Sequence, residues 1–421
     1  MIYALILFVI TYVLMLAFQQ YRPWIALGSA AIFIVTGMLP LDKAIGYVDF
    51  NVLLMIAGTM GTVALMIESK MPALMADIIT EKVPNVKWAI VTLALFAGIV
   101  SAFIDNVATV LMIAPIALAI SKRLGISPVG MIIAIAVSSN LQGAATLVGD
   151  TTSILLGGYA GMNFLDFFWY QGKPGIFFAV EMGALISAGI LLVLFRKENQ
   201  SVKPAERTVV TDYVPTVLMV ATVVLLIVAS VLPGMPDMIN GIICVSIMAI
   251  GVVYNMIKKR SIKGLIDPLK EIDIQTILLL FGLFMVVGGI TEKGVVDAVA
   301  NMFTKIGGGN VFVIYTLITW MSVLLSAFID NIPYVATMLP VTQGIAVAMG
   351  IDPTLLYFGL LSGATLGGNL TPIGASANIT GIGILRKEGH IVKNSDFMRI
   401  GIPFTLAAVI PAYFYFLIFF G

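Results

Sequence analysis

Uninterrupted apolar segments recur near residues 2–19, 23–39, 50–68, 128–160, 175–195, 213–232, 237–257, 274–291, 353–384 and 400–420. Each is long enough to be a membrane-crossing helix, which needs about 20 mostly apolar residues. Two further apolar stretches, 88–121 and 310–347, differ in carrying a carboxylate at their midpoint, between arms too short for comfortable full spans. These are predicted to be re-entrant helical hairpins with tips at Asp105-Asn106 and Asp330-Asn331. Non-helical backbone at membrane depth survives only when buried in protein or lining a wet cavity, so both tips should lie inside the molecule. Short amphipathic pieces near 71–83 and 293–305 should lead into the hairpins along the surface.

The polar interruptions repeat. Ser101-Ala102-Phe103-Ile104-Asp105-Asn106 returns unchanged as Ser326-Ala327-Phe328-Ile329-Asp330-Asn331. The same offset carries Pro115 onto Pro340, Pro128 onto Pro353, Gly143 onto Gly368, Thr146 onto Thr371 and Gly149 onto Gly374. Five crossings and one hairpin per half make an odd count, so the second half should enter from the opposite face as an inverted repeat. The predicted fold is all-α and polytopic. Residues 1–195 form the first repeat, 196–212 a cytoplasmic linker and 213–421 the second repeat; each has five transmembrane segments, a re-entrant hairpin and one broken helix, about 128–160 and 353–384.

Charge supports this layout. It places nineteen of the 23 Lys and Arg on one side, from Arg22 through Lys203 to Arg399, and leaves only Lys43, Lys173, Lys293 and Lys305 on the other. Cytoplasmic loops hold the basic excess. Both termini are therefore expected outside, with the first hairpin opening from the cytoplasm and the second from the exterior. No basic residue is left for the midplane, which should be acidic or neutral. With 60% hydrophobic and 11% charged residues, no soluble domain fits beside the spans. A formal charge of +1 without a basic stripe excludes a nucleic-acid partner. Cys244 is alone, so no intrachain disulfide forms, and the first 20 residues lack a basic n-region, so they read as a retained span.

Asp105 and Asp330 then become the chemistry. Insertion scales put Asp at a helix centre at about +2.5 to +3.5 kcal/mol. An Asp before a helix is also a good N-cap, but Ser or Asn would cap without that cost. A carboxylate there binds Na⁺ or takes up a proton, and Asn106 and Asn331 offer an amide oxygen or NH₂ to a cation or an anion. Opposite the tips lie two Gly- and Thr-rich interruptions, Asn140–Ser153 and Gly367–Asn378. Broken helices of this kind present half-helix N-termini to anions and unwound carbonyls to cations. The candidate ion and substrate residues are Asp105, Asn106, Asp330, Asn331, Ser101, Ser326, Asn140, Thr146, Gly149, Asp150, Thr151, Asn369, Thr371, Gly374, Ser376 and Asn378, with the two Asp-Asn pairs as Na⁺ ligands if coupling is to sodium. The halves are not equivalent, because Asp150 aligns with Ala375 and Ser153 with Asn378. Glu181 and His390 fit snorkelling and solvated roles, and the 23 Met residues apolar filling.

With tips and broken helices placed, the chain resembles, over nearly its whole length, the ion transporter superfamily. That superfamily includes divalent-anion/sodium symporters, citrate transporters, arsenite-efflux permeases, sodium/proton antiporters and the P protein. The symporters carry Ser-Asn-Thr at each tip; here the tripeptides are Asp105-Asn106-Val107 and Asp330-Asn331-Ile332. A carboxylate repels an anion unless a cation or proton intervenes. Gly367-Gly368-Asn369 with Gly374-Ala375-Ser376-Ala377-Asn378 resembles the P protein most, and Thr371-Pro372-Ile373-Gly374 is similar to the arsenite permease pattern. The resemblance implies a homodimer with a scaffold and a moving transport domain working as an elevator. It also implies no cofactor beyond Na⁺ or H⁺ as coupling ion and, on the arsenite-permease side, an ATPase partner subunit.

The expected function is secondary active transport of a small anion, oxyanion or organic anion coupled to Na⁺ or H⁺, in a prokaryotic inner or plasma membrane. Na⁺/H⁺ antiport is the alternative and an ion channel a further one. No G-x-x-x-x-G-K-[ST] stretch is present, so pumping would draw on an ion gradient or an outside partner. An enzyme is not expected: Gly149-Asp150 matches the end of an intramembrane aspartyl protease site, but Leu147 stands where a glycine is required.

Overall fold

A computed structural model describes residues 1–202 and 207–421; Lys203, assigned above to the cytoplasmic linker, lies outside the described residues. The chain is an all-α polytopic membrane fold of two inverted repeats. The first repeat contains α1 (Ile2–Ala17), α2 (Arg22–Val35), α3 (Phe50–Ser69), α4 (Met71–Thr80), α5 (Val86–Ser101), α6 (Asn106–Leu124), α7 (Val129–Gln142), α8 (Thr151–Ala160) and α9 (Ile176–Leu194). The second contains α10 (Val214–Val231), α11 (Ile239–Lys259), α12 (Ile274–Glu292), α13 (Val295–Ile306), α14 (Val311–Ser326), α15 (Asn331–Met349), α16 (Thr354–Gly367), α17 (Ser376–Lys387) and α18 (Asn394–Phe420). Short helices at Leu41–Ala44 and Lys263–Lys270 occupy matching connections.

The duplication holds at the level of single residues. Helices α5, α6 and α7 start and stop at positions that, displaced by 225 (the difference between 86 and 311), are the bounds of α14, α15 and α16. Capping explains why the ends coincide. Asn85 and Asn310 accept from backbone N–H groups of α5 and α14, and Asp105 and Asp330 do the same for α6 and α15. Both tip aspartates are thus half-buried N-caps. The broken helices part at Gly143–Asp150 and Gly368–Ala375, where a 3₁₀ turn gives way to extended backbone at Thr146 and Thr371.

Several spans differ from the sequence expectation. Helices α1 and α2 have 16 and 14 residues and meet at a 118° bend around Phe18–Tyr21, so residues 2–19 and 23–39 form a short angled pair. The second arms of the hairpins, α6 and α15, run 19 residues, about 28 Å at 1.5 Å per residue, and are long enough to cross; only the first arms, at 16 residues, fall short. Among the described residues eight helices are long and apolar enough to span a membrane. The predicted surface pieces appear as α4 and α13. A small β-ribbon, Trp169–Tyr170 against Lys173–Pro174, had no signal in the apolar pattern.

The helices pack into two groups. In one, α1–α3 lie with α10–α12, chiefly α3 on α11 and α2 on α12. Small residues allow that approach, since a Cβ at Gly58 would lie 2.4 Å from the Cys244 backbone and one at Gly282 lies 2.8 Å from that of Ala26. In the other, α5–α9 pack with α14–α18, and the two hairpins sandwich the broken helices. Helices α4 and α13 run beside the hairpins at the seam. The linker is anchored where it is described: Arg207 pairs at 2.7 Å with Glu81, which follows the last residue of α4, and the Thr208 N–H and hydroxyl both donate to Asp77. The guanidinium holds the Glu81 carboxyl below the usual range.

Candidate functional site

Each tip is fastened to the break in its own repeat. The Thr146 hydroxyl donates to the Ala102 carbonyl, and the Thr371 hydroxyl donates to that of Ala327. At Gly149 a Cβ would sit 2.6–2.8 Å from the carbonyl oxygens of Gly143, Ala102 and Ser101; at Gly374 it would sit 2.5–2.9 Å from those of Gly368, Ser326 and Ala327. Side chains there would force tip and break apart. Thr146, Thr371 and Gly374 therefore work as braces. Ser153 and Asn378 tie the two sides of each break by donating to the carbonyls of Gly143 and Gly368.

The repeats then join through amides. Asn106 donates to Asn140 Oδ1 at 3.0 Å, and Asn140 donates to the Thr365 carbonyl at 2.7 Å and to Asn369 Oδ1 at 3.1 Å. Asn369 returns a bond to the Val137 carbonyl at 2.8 Å. Asp150 Oδ2 accepts from Thr152 Oγ1 at 2.9 Å and from Asn331 Nδ2 at 3.4 Å, so the second tip touches the break of the first repeat. Thr152 also bonds Thr365 at 2.9 Å. Neither Thr152 nor Thr365 was in the candidate set. Thr365 had a signal, since it is the repeat partner of Asn140.

Charge is distributed unequally. The N–H groups of Val107 and Ala108 donate to Asp105 Oδ2 at 2.9 and 3.1 Å, while Oδ1 has no partner among the described residues. Asp150 Oδ1 is likewise free among them. Among the described residues neither carboxylate has a Lys or Arg partner. In the second repeat the Ile332 N–H donates to Asp330 Oδ1 at 3.1 Å, and Arg22 Nη1 donates to Oδ2 at 3.0 Å. The second tip is thus not free of basic residues: Arg22, expected in a cytoplasmic loop, reaches it. The remaining candidates divide by exposure. Thr151 and Ser376, first residues of α8 and α17, line a cavity; Ser101 Oγ and Asn378 Oδ1 are buried without partners among the described residues, and Ser326 donates to the Ala364 carbonyl.

Two openings adjoin the tips. A cavity of about 240 Å³ is lined by Asp105, Asn106, Asp150, Thr151, Asn331 and Ser376 and runs to Glu271 and Asp273 at the start of α12. A void of about 10 Å³ lies between α3 and Asp105, Gly149, Asp150 and Thr151, room for one water-sized particle. A larger cavity of about 1280 Å³ at the seam of the helix groups is lined in part by Asp49, Asp237 and Asp297. No Lys, Arg or His is among the residues lining any of the three. Oxygen-rich surroundings with uncompensated negative charge suit a hard monovalent cation or a proton.

A profile of the citrate transporter family matches residues 5–363. An uncharacterized transporter of Mycobacterium tuberculosis is 30% identical, covering 97% of this chain and 96% of that protein. The 46 kDa membrane protein of Mycobacterium leprae is also 30% identical, over 98% and 97%. The P protein of Mus musculus is 26% identical over 90% of this chain and 55% of its own length. The crystal structure of the Alcanivorax borkumensis YdaH transporter, described as revealing an unusual topology, superposes with a TM-score of 0.63 at 13% identity, covering 96% and 97% of the two chains, which shows a shared fold. The duplicated tips, the broken helices and this match over most of the chain agree: the protein is an integral membrane transporter of the citrate transporter family, within the ion transporter superfamily.

Proposed function

We propose that the protein is a secondary transporter that carries a small carboxylate or oxyanion together with Na⁺ or H⁺, the cation sitting between Asp105 and Asp150. One observation carries this reading: the carboxylates of Asp105 and Asp150 line the same small void, each with one oxygen unbonded, and neither has a basic partner among the described residues. Two uncompensated charges in an apolar setting are too costly to stand alone, so a cation or protons accompany them. With the negative charge offset, the N-termini of α8 and α17 and the Asn331 amide are the groups that would meet an anion. The two helix groups would be scaffold and transport domain of an elevator, by likeness of arrangement alone, and a homodimer would follow the same likeness.

Na⁺/H⁺ exchange is the second reading. It is favoured by the acidic cavity linings, which attract cations from both sides and repel free anions. Reconstituted vesicles carrying a pH dye separate the two. Proton movement that begins only when citrate, phosphate or a similar solute is added with Na⁺ supports coupled solute transport; movement on Na⁺ alone supports exchange. The topology is tested with cysteines. A cysteine replacing Ser201 should react only from the cytoplasm and one replacing Leu41 only from outside; the reverse pattern would overturn the assignment of the termini to the exterior.

A further inference from the structure

The two tips repeat in sequence but not in their electrostatics. Asp105 has one oxygen without a hydrogen-bond partner among the described residues and lines cavities that also take in Asp150. Asp330 has both oxygens engaged, one by the α15 backbone and one by Arg22, and neither cavity reaches it. The position matching Asp150 is Ala375, so the second half-site also lacks the second carboxylate.

Arg22 is built into place. It opens α2 immediately after the bend that ends α1, and its Nε donates to the Met15 carbonyl at 3.3 Å, at the negative end of the α1 dipole. Its Nη1 is thereby aimed at Asp330, and the two side chains are only 16% and 14% exposed. The adjoining contact is fixed as well: the Tyr12 hydroxyl donates to the Pro333 carbonyl at 2.6 Å and bonds Thr337, one turn into α15.

We infer that Arg22 is the built-in cation of the second half-site, occupying by covalent attachment the role that a diffusible cation fills at the first. The transporter then has one exchangeable cation site, at Asp105, instead of the two that its repeated tips suggest. This specificity role for Arg22 rests on the cation reading of the first tip. Because Arg22 belongs to the helix group of α1–α3 and Asp330 to the group of the hairpins, the second tip is held across the seam without an ion, and removing the guanidinium leaves Asp330 to recruit one.

The test counts cation equivalents per purified full-length chain near neutral pH, as radioactive Na⁺ retained in equilibrium dialysis plus protons taken up in a parallel titration. R22Q should hold one equivalent more than the wild type, the extra one should vanish in R22Q/D330N, and R22K should match the wild type. D330N should cost some stability but leave the wild-type count per folded chain unchanged, which keeps the inference testable if R22Q does not fold. An R22Q count equal to that of R22Q/D330N, or a wild-type count that falls by one in D330N, would overturn it. The cation reading of the first tip is scored separately, by whether D105N lowers the wild-type count.

Discussion

Asp105→Asn is expected to cut ion-coupled transport by about 100-fold or more, a loss of roughly 2.7 kcal/mol in the coupled step, while the protein still purifies as a folded species. The two effects separate because Asp105 does two jobs. Its Oδ2 caps α6 through Val107 and Ala108, and Asn caps a helix about as well as Asp. Its side chain also lines the void shared with Asp150, and there the variant presents an uncharged group. A single remaining carboxylate makes a weaker cation site, and Asp150 alone does not restore coupling. The corresponding change at the second tip acts differently: Asp330→Asn leaves Arg22 partly buried without its counter-charge, so it should cost stability first. Vesicle flux set beside the thermal midpoint in detergent tells the two apart. Normal flux in Asp105→Asn would remove Asp105 from the coupling site.

Gly149→Ala is the second large effect. The added methyl would press on three carbonyl oxygens at 2.6–2.8 Å, and all three belong to rigid backbone that cannot rotate away. Tip and break must separate, which stretches the Thr146 bond to Ala102 and widens the void beside Asp105. Coupled transport should fall by at least about 10-fold, since small misplacements at a binding site are costly, and Gly374→Ala should behave similarly through Gly368, Ser326 and Ala327. Gly28→Ala is the control. That glycine lies in α2 with open space around its missing Cβ, so alanine there should be neutral or slightly stabilising. Equal flux in Gly149→Ala and Gly28→Ala would show that the tip and break need not touch.

The parts of the site legible in the sequence were those written in local contrast. A carboxylate inside an apolar stretch marks a tip, a Gly- and Thr-rich interval inside a long span marks a break, and the repeat offset locates both twice. Helices α5, α6 and α7 and their counterparts consequently lie close to where the pattern puts them. What eluded the sequence is set by distance along the chain. The Arg22–Asp330 pair joins positions 308 apart, and nothing near Arg22 distinguishes it from the loop arginines. The lengths of α6 and α15 depend on a local device instead. Capping by Asp105 and Asp330 lets each second arm begin at the tip itself, so that all 19 residues after it are helical.

Proton movement in sealed vesicles after a Na⁺ pulse, with and without added citrate, compared between the wild type and Asp105→Asn, bears on the cation site at the first tip more squarely than any other measurement. Movement in the wild type that is lost in Asp105→Asn, with the folded protein present in equal amount, is the expected result. Equal movement in both proteins would contradict a coupling cation held by Asp105.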